Sequence, residues 1–111
     1  MFYARGANTH IIFKESEKKM AKMKALVFKK VGCIELEEIP IPEVREHDDV
    51  IVKVAACGIC GSDVKIMEGK HAYREGVVLG HEFCGTVMEV GKSVTAVKPG
   101  DRIAVDNNPR C

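Results

Sequence analysis

The stretch that decides the fold is residues 80–94, "GHEFCGTVMEVGKSV". Within it, "GTVMEVG" (85–91) places apolar residues on alternate positions, which is the pattern of a half-buried β-strand. His81 stands just before this run, between a glycine and a glutamate. The backbone freedom of Gly80 allows the imidazole ring to be aimed. The stretch therefore predicts a strand with an imidazole at its start.

Segments with strand patterns lie on both sides of this stretch. "KALVFKK" (24–30) alternates, "CIELEEIPIPE" (33–43) is an extended run, and "DDVIVKVAAC" (48–57) is rich in β-branched residues. Pro40 and Pro42 favour edge or connector positions. A turn at "KPGD" (98–101) precedes a last alternating segment, "RIAVD" (102–106). These segments predict a mainly β chain, as a small barrel or sandwich with one or two short helices.

The clearest helix follows the cysteine-rich stretch "ACGICGSD" (56–63). Ser62 or Asp63 is predicted to cap a short helix through "DVKIMEG", and Gly69 is predicted to end it. Residues 1–22 finish in a charged run, and we treat them as an N-terminal extension whose order the sequence does not define. The domain is predicted over residues 23–111.

Composition excludes several classes of partner. The 111 residues include 17 basic and 16 acidic side chains, interspersed, so neither nucleic acid nor an anionic membrane is an expected partner. No apolar run approaches the about 20 residues of a membrane span, and no signal peptide opens the chain. We therefore expect a cytoplasmic protein. Its five cysteines are then ligands, nucleophiles or core residues rather than a disulfide framework.

The Cys57-x-x-Cys60 pair has three interpretations: a redox dithiol, a metal site or packing. A redox motif needs a long helix directly after the second cysteine, and here only a short one is predicted. Zinc favours thiolate and imidazole, and Cys60 lies just before the helix, where the helix dipole lowers a thiol pKa. Cys60 and His81 are therefore candidate metal ligands. His10, His47 and His71 stand in polar surroundings typical of surface histidines.

Polar groups beside the candidate ligands fit the same chemistry. Asp63 and Glu82 are carboxylates that can accept the second N–H of a ligating imidazole. Ser62, two residues after Cys60, can pass a proton. The same sequence neighbourhood thus offers both metal ligands and acid–base groups.

Together, "CGICGSD" and "GHEFCGTVMEVGKSV" resemble the N-terminal, GroES-like catalytic domain of zinc-containing medium-chain alcohol and polyol dehydrogenases. The resemblance covers residues 23–111, and it satisfies the family's signature position by position at Gly80, His81, Glu82, Gly85, Gly91 and Val94. It implies a GroES-like, partly open β-barrel. It also implies that Cys60 and His81 bind the catalytic zinc, whereas Cys57 matches no ligand position. It further implies that Ser62 is the first hydroxyl of a proton relay, that Asp63 is the carboxylate that orients His81, and that Glu82 lies close behind the zinc.

The tail "NNPRC" (107–111) is similar to the family's lead-in to a lobe of four cysteines that bind a structural zinc, of which Cys111 would be the first. The resemblance implies that the chain is truncated there. The third catalytic ligand and the Rossmann domain would lie in absent sequence. No G-x-G-x-x-G follows a strand, so NAD or NADP is expected in the complete enzyme only.

The resemblance implies that the complete enzyme oxidises a small alcohol or polyol, with zinc as Lewis acid and a nicotinamide as hydride acceptor. The chain alone is expected to be inactive. Two alternatives stay open: a freestanding GroES-like module that binds zinc or a partner, and a thiol redox module that uses Cys57 and Cys60. Apolar faces left without the Rossmann domain predict self-association into a homo-oligomer, or marginal stability.

Overall fold

The computed structural model describes residues 2–4 and 21–107, with side chains for the second range. Six strands and one helix follow in the order β1 (Phe2–Ala4), β2 (Lys22–Lys30), β3 (Cys33–Pro40), β4 (Val50–Gly58), α1 (Gly61–Met67), β5 (Glu82–Val90) and β6 (Arg102–Ala104). The predicted mainly β class with a short helix is confirmed. The strands form two sheets, and no closed barrel forms among these residues.

The larger sheet has four antiparallel strands in the order β1-β4-β5-β6. β1 belongs to the predicted extension and pairs with β4 along one edge. The central pair β4–β5 runs from Val50 opposite Val90 to Gly58 opposite Glu82, and its register shifts twice on the way. These irregularities bend the pair and decide which residues of the two strands meet at its end.

The smaller sheet pairs β2 with β3 and carries one cluster of buried apolar side chains, while further buried apolar residues lie on β4 and β5. The alternation of β2 turns every second side chain inward, so the core cluster consists of Met23, Ala25, Val27 and Ile39. The backbone of residues 76–79 lies along the other edge of β2. Phe28 N–H donates to the carbonyl of Val77 at 2.9 Å, and Leu79 N–H donates to that of Leu26 at 2.9 Å. β3 is thus left at the edge, where Pro40 is tolerated, and Pro42 lies in the connection that follows.

Helix α1 begins one turn earlier than the sequence predicts. Cys60 has extended backbone angles and occupies the N-cap position, so the prediction of Ser62 or Asp63 as the cap is wrong. The Asp63 carboxylate instead accepts the N–H of Cys60 at 3.0 Å, as an acidic residue does in a capping box. The predicted end is confirmed, because Gly69 has φ +73° and its N–H donates to Ile66. No helix in the described ranges is long and apolar enough to cross a membrane.

Two glycines of the predicted signature are required by close packing of the backbone. A Cβ atom on Gly85 would overlap the carbonyl oxygen of Lys53 in β4 and lie 2.9 Å from its carbon. A Cβ atom on Gly91 would lie 2.6 Å from the carbonyl oxygen of Glu46. Gly91 N–H also donates to the carbonyl of Asp49 at 2.7 Å. These contacts hold β5 against β4 and hold the end of β5 against the turn that precedes β4.

Substitution of Gly85→Ala is therefore expected to lower the free energy of unfolding by about 1–3 kcal/mol, the range for overpacking a filled site. Urea denaturation followed by circular dichroism measures the change. Gly61→Ala is the matched control, because its added Cβ meets nothing within 4 Å. Equal stability of the Gly85 and Gly61 variants would contradict this account of the β4–β5 contact.

Candidate metal centre

The β4–β5 register brings the two functional stretches of the sequence together. Gly58 ends β4 opposite Glu82, and the chain then passes through Cys60 into α1. His81 stands immediately before β5. As a result one ligand atom from each of Cys60, His81 and Glu82 lies within 4.8 Å of the other two. A thiol thus meets an imidazole and a carboxylate from a pair of neighbouring residues that lies 21 and 22 positions further along the sequence.

The Asp63 carboxylate lies behind two of these groups. Its Oδ2 accepts the N–H of Cys60 at 3.0 Å, and its Oδ1 lies 3.6 Å from His81 Nδ1. The Asp63 side chain is only 13% exposed, and its Oδ1 is buried without a hydrogen-bond partner. A buried carboxylate oxygen is costly unless it is satisfied. A small rotation of the imidazole would let Nδ1–H donate to this oxygen, which leaves Nε2 as the free ligand atom.

Ser62 lies on the other side of the imidazole, with its hydroxyl 3.3 Å from His81 Nε2. Both residues open onto a cleft of about 210 Å³. The residues that line the cleft come from α1, the segment after it and the start of β5: Ser62, Ile66, His71, Ala72, Tyr73 and His81. His71 is exposed, as its polar surroundings predict, and no sequence pattern indicates that it lines this cleft.

The three donors fit a zinc ion. Three atoms that lie within 4.8 Å of one another leave a central point no more than about 2.8 Å from each, and zinc–ligand bonds measure about 2.0–2.3 Å. Side-chain movements of up to about 0.8 Å therefore close the site. Three protein ligands with a fourth position open are the arrangement of a catalytic zinc. The unsatisfied Asp63 Oδ1 is the partner that a ligating imidazole requires.

Glu82 is the part of this arrangement that the sequence did not assign to the metal. We expected it behind the zinc and expected the third ligand in absent sequence. In the structure one of its carboxylate oxygens lies within 4.8 Å of the Cys60 and His81 donor atoms, which makes Glu82 a candidate third ligand. Cys111 lies outside the described residues. The four cysteines within them, Cys33, Cys57, Cys60 and Cys84, are free thiols.

Cys57 lies beside the site but outside the donor group. Its sulfur is 3.5 Å from the carbonyl oxygen of Gly58 and faces Gly80, where an added Cβ would lie 2.9 Å away. Although Cys57 is exposed as a residue, partial burial of its thiol raises the pKa of that group, with smaller contributions from the carboxylates of Asp63 and Glu82, while a backbone hydrogen bond from Glu82 opposes the rise. A raised pKa favours the thiol over the reactive thiolate, the opposite of the lowered pKa of a redox dithiol.

Comparisons with known proteins show the family of the chain. Residues 46–111 match the model of the alcohol dehydrogenase GroES-like domain. Sorbitol dehydrogenase 1 of Saccharomyces cerevisiae is 44% identical over 86 residues, which are 74% of this chain and 24% of that protein. The solved alcohol dehydrogenase TADH from Thermus sp. ATN1 is 38% identical with a TM-score of 0.69, over 74% of this chain and 24% of that one.

A solved chain from Sinorhizobium meliloti 1021, bound to NADP, is 44% identical with a TM-score of 0.69. The match covers 75% of this chain and 24% of that one. The chain belongs to the zinc-type medium-chain alcohol and polyol dehydrogenase family. The part of that family's proteins that it matches is the GroES-like domain. It spans about a quarter of the length of the relatives that it matches.

The raised pKa of Cys57 predicts a pH dependence that can be measured on the metal-free protein. Because only the thiolate reacts, alkylation of Cys57 by iodoacetamide is expected to be slower than that of free cysteine at pH 7. Its rate should still be rising with pH where free cysteine has levelled off. Mass spectrometry of the alkylated peptides measures this rate. A Cys57 that reacts faster than free cysteine at pH 7 would contradict the burial account and favour the redox alternative.

Proposed function

We propose that this chain supplies the metal-binding part of a zinc-dependent oxidoreductase that oxidises an alcohol or polyol with NAD or NADP. The observation that carries the proposal is the convergence of Cys60, His81 and Glu82 within 4.8 Å. Cys60 would bind through its thiolate, His81 through Nε2, and Glu82 through a carboxylate oxygen. When bound, zinc supplies the Lewis acidity that lowers the pKa of an alcohol hydroxyl.

The residues around the ligands have separate tasks. Asp63 Oδ2 accepts the N–H of Cys60, and its Oδ1, 3.6 Å from His81 Nδ1, would accept Nδ1–H once the imidazole turns towards it, so one carboxylate would orient two ligands. Ser62 is the group that can accept the substrate's hydroxyl proton, because its oxygen lies beside His81 Nε2 at the mouth of the cleft. A proton taken there can pass on to solvent. Proton transfer to a positioned side chain contributes about 10²–10⁴-fold to a rate.

The cleft next to Ser62 suits a small hydroxylated substrate. Ile66 gives it an apolar wall, and His71 and Tyr73 give it groups that can hydrogen-bond to hydroxyls. Sorbitol, the substrate in the name of the yeast relative, is of this class. The hydride acceptor must come from a dinucleotide-binding domain, since this chain has no phosphate-binding glycine loop. NADP in the Sinorhizobium meliloti relative supports a nicotinamide cofactor.

The isolated chain is expected to bind one zinc ion at the Cys60 site, as counted by native mass spectrometry. Zinc should protect Cys60 from alkylation until a chelator is added. Asp63→Asn should weaken zinc binding by about 10–100-fold, the usual effect of losing a group that orients a ligand. Glu82→Gln should weaken it as well. Asp48→Asn is the control, because that carboxylate belongs to the exposed turn before β4.

The competing interpretations predict different results in the same experiment. A thiol redox module would leave Cys60 reactive in the presence of zinc and would form a reversible Cys57–Cys60 disulfide. Full protection of Cys60 in the Glu82→Gln variant, with unchanged affinity, would remove Glu82 from the ligand set and leave only two ligands on this chain.

The catalytic part of the proposal requires a cofactor domain. Zinc-loaded chain alone, with sorbitol and NAD or NADP, is expected to give no increase in nicotinamide absorbance. A chimera in which the 86 matched residues of the yeast sorbitol dehydrogenase are replaced by the corresponding residues of this chain should oxidise sorbitol. In that chimera Ser62→Ala should lower kcat by about 10²–10⁴-fold, while Ser93→Ala should not.

The same chimera distinguishes the enzyme hypothesis from the hypothesis of a freestanding zinc-binding module. The module alternative is favoured by one observation, that all three donors lie on this chain. A folded, zinc-loaded chimera without activity would support the module and contradict the proposed chemistry. Turnover that survives Ser62→Ala unchanged would remove Ser62 from the proton relay.

A further inference from the structure

We propose that Gly58 is a positioning residue, which keeps open the space in which the Glu82 carboxylate turns towards Cys60 and His81. This inference rests on the proposed function, because it concerns the third ligand of the zinc site. Gly58 is the last residue of β4 and pairs with Glu82, the first residue of β5. Gly58 has no side chain and is not itself a metal ligand.

The contact between the two residues is close and specific. A Cβ atom on Gly58 would lie 3.2 Å from Glu82 Oε2, closer than an ordinary carbon–oxygen contact. The next distances, 3.5 Å to the Glu82 carbonyl oxygen and 3.6 Å to its Cβ, are ordinary van der Waals contacts. The strain of an added side chain therefore falls on the carboxylate. Because the carboxylate is the end of a flexible side chain, it would move away while the strands stay paired.

The backbone gives no other reason for a glycine at this position. Gly32, Gly69, Gly76, Gly80 and Gly100 have positive φ angles that favour glycine, whereas Gly58 is not among them. Glycine within a strand costs about 0.5–1 kcal/mol relative to alanine. The space needed by Glu82 is the reason that the structure offers. No ion pair in the described part of the chain fixes the Glu82 carboxylate, so this space governs where it points.

The test uses the full chain and zinc alone. Gly58→Ala and Gly58→Val should weaken zinc binding in that order, because the branched side chain fills more of the space. We expect about a tenfold loss for valine, within the range for residues that orient a ligand. Competition with a chromophoric chelator measures the affinity. Gly61→Ala is the matched control: it lies next to Cys60, but its added Cβ meets nothing within 4 Å.

A double-mutant cycle shows whether the effect passes through Glu82. In a Glu82→Gln background, Gly58→Val should change zinc affinity by less than about twofold, because the two changes are coupled rather than additive. The absorption bands of bound Co²⁺, which report ligand number and geometry, should change in Gly58→Val towards those of Glu82→Gln. Circular dichroism checks that each variant is folded, and Gly58→Ala keeps the test valid if the valine variant does not fold.

Three results would overturn the inference, and they are distinguishable. If Gly58→Ala and Gly58→Val bind zinc as the wild type does, Gly58 does not position Glu82, while the proposed function stands. If both variants weaken zinc equally with and without Glu82, Gly58 acts through the fold in general. If Glu82→Gln alone leaves the affinity unchanged, Glu82 is not a ligand and both the inference and that part of the proposed function fail.

Discussion

The structure depends on the antiparallel contact between β4 and β5. At Gly85 the backbone of β5 meets the carbonyl group of Lys53 in β4, and just after β5 Gly91 meets that of His47 in the turn before β4, with no side chain between them. This close approach fixes the register, and the register brings the end of β4 to the start of β5. The metal donors converge because these two ends meet. Residues that carry no chemistry therefore decide where the chemistry lies, and the interior leaves little room for adjustment.

Asp63 shows how folding and function use the same group. As the third residue of α1 it satisfies the N–H of Cys60, which helps to start the helix. As a buried carboxylate beside His81 it retains an oxygen with no hydrogen-bond partner. A protein selected for stability alone would satisfy or remove such an atom. Its persistence agrees with a site in which an imidazole turns to meet it when a cation is bound.

Local patterns in the sequence predict the elements better than the site. Alternating apolar residues identify β2 and β5, and the glycine at position 69 marks the end of α1. Both signals can be read from the sequence because they depend on neighbouring residues only. The sequence predicts a later start for α1, because the side chains of Ser62 and Asp63 are preferred at helix N-caps and that of Cys60 is not. The closeness of the Glu82 carboxylate to Cys60 and His81 could not be predicted, because it depends on two register shifts between β4 and β5. Such shifts arise from tertiary contacts and leave no periodic signal.

The segment from His71 to Glu75 is held at both ends. His71 N–H donates to the carbonyl of Lys65 at the end of α1, and Gly76 N–H donates to that of Phe28 in β2. Between these two anchors lie Ala72 and Tyr73, which line the cleft without contributing a metal donor. The side chains of this segment can therefore vary without loss of the backbone hydrogen bonds that hold it. Evolution or an engineer can change its side chains, and with them the shape of the cleft, while the metal chemistry stays fixed.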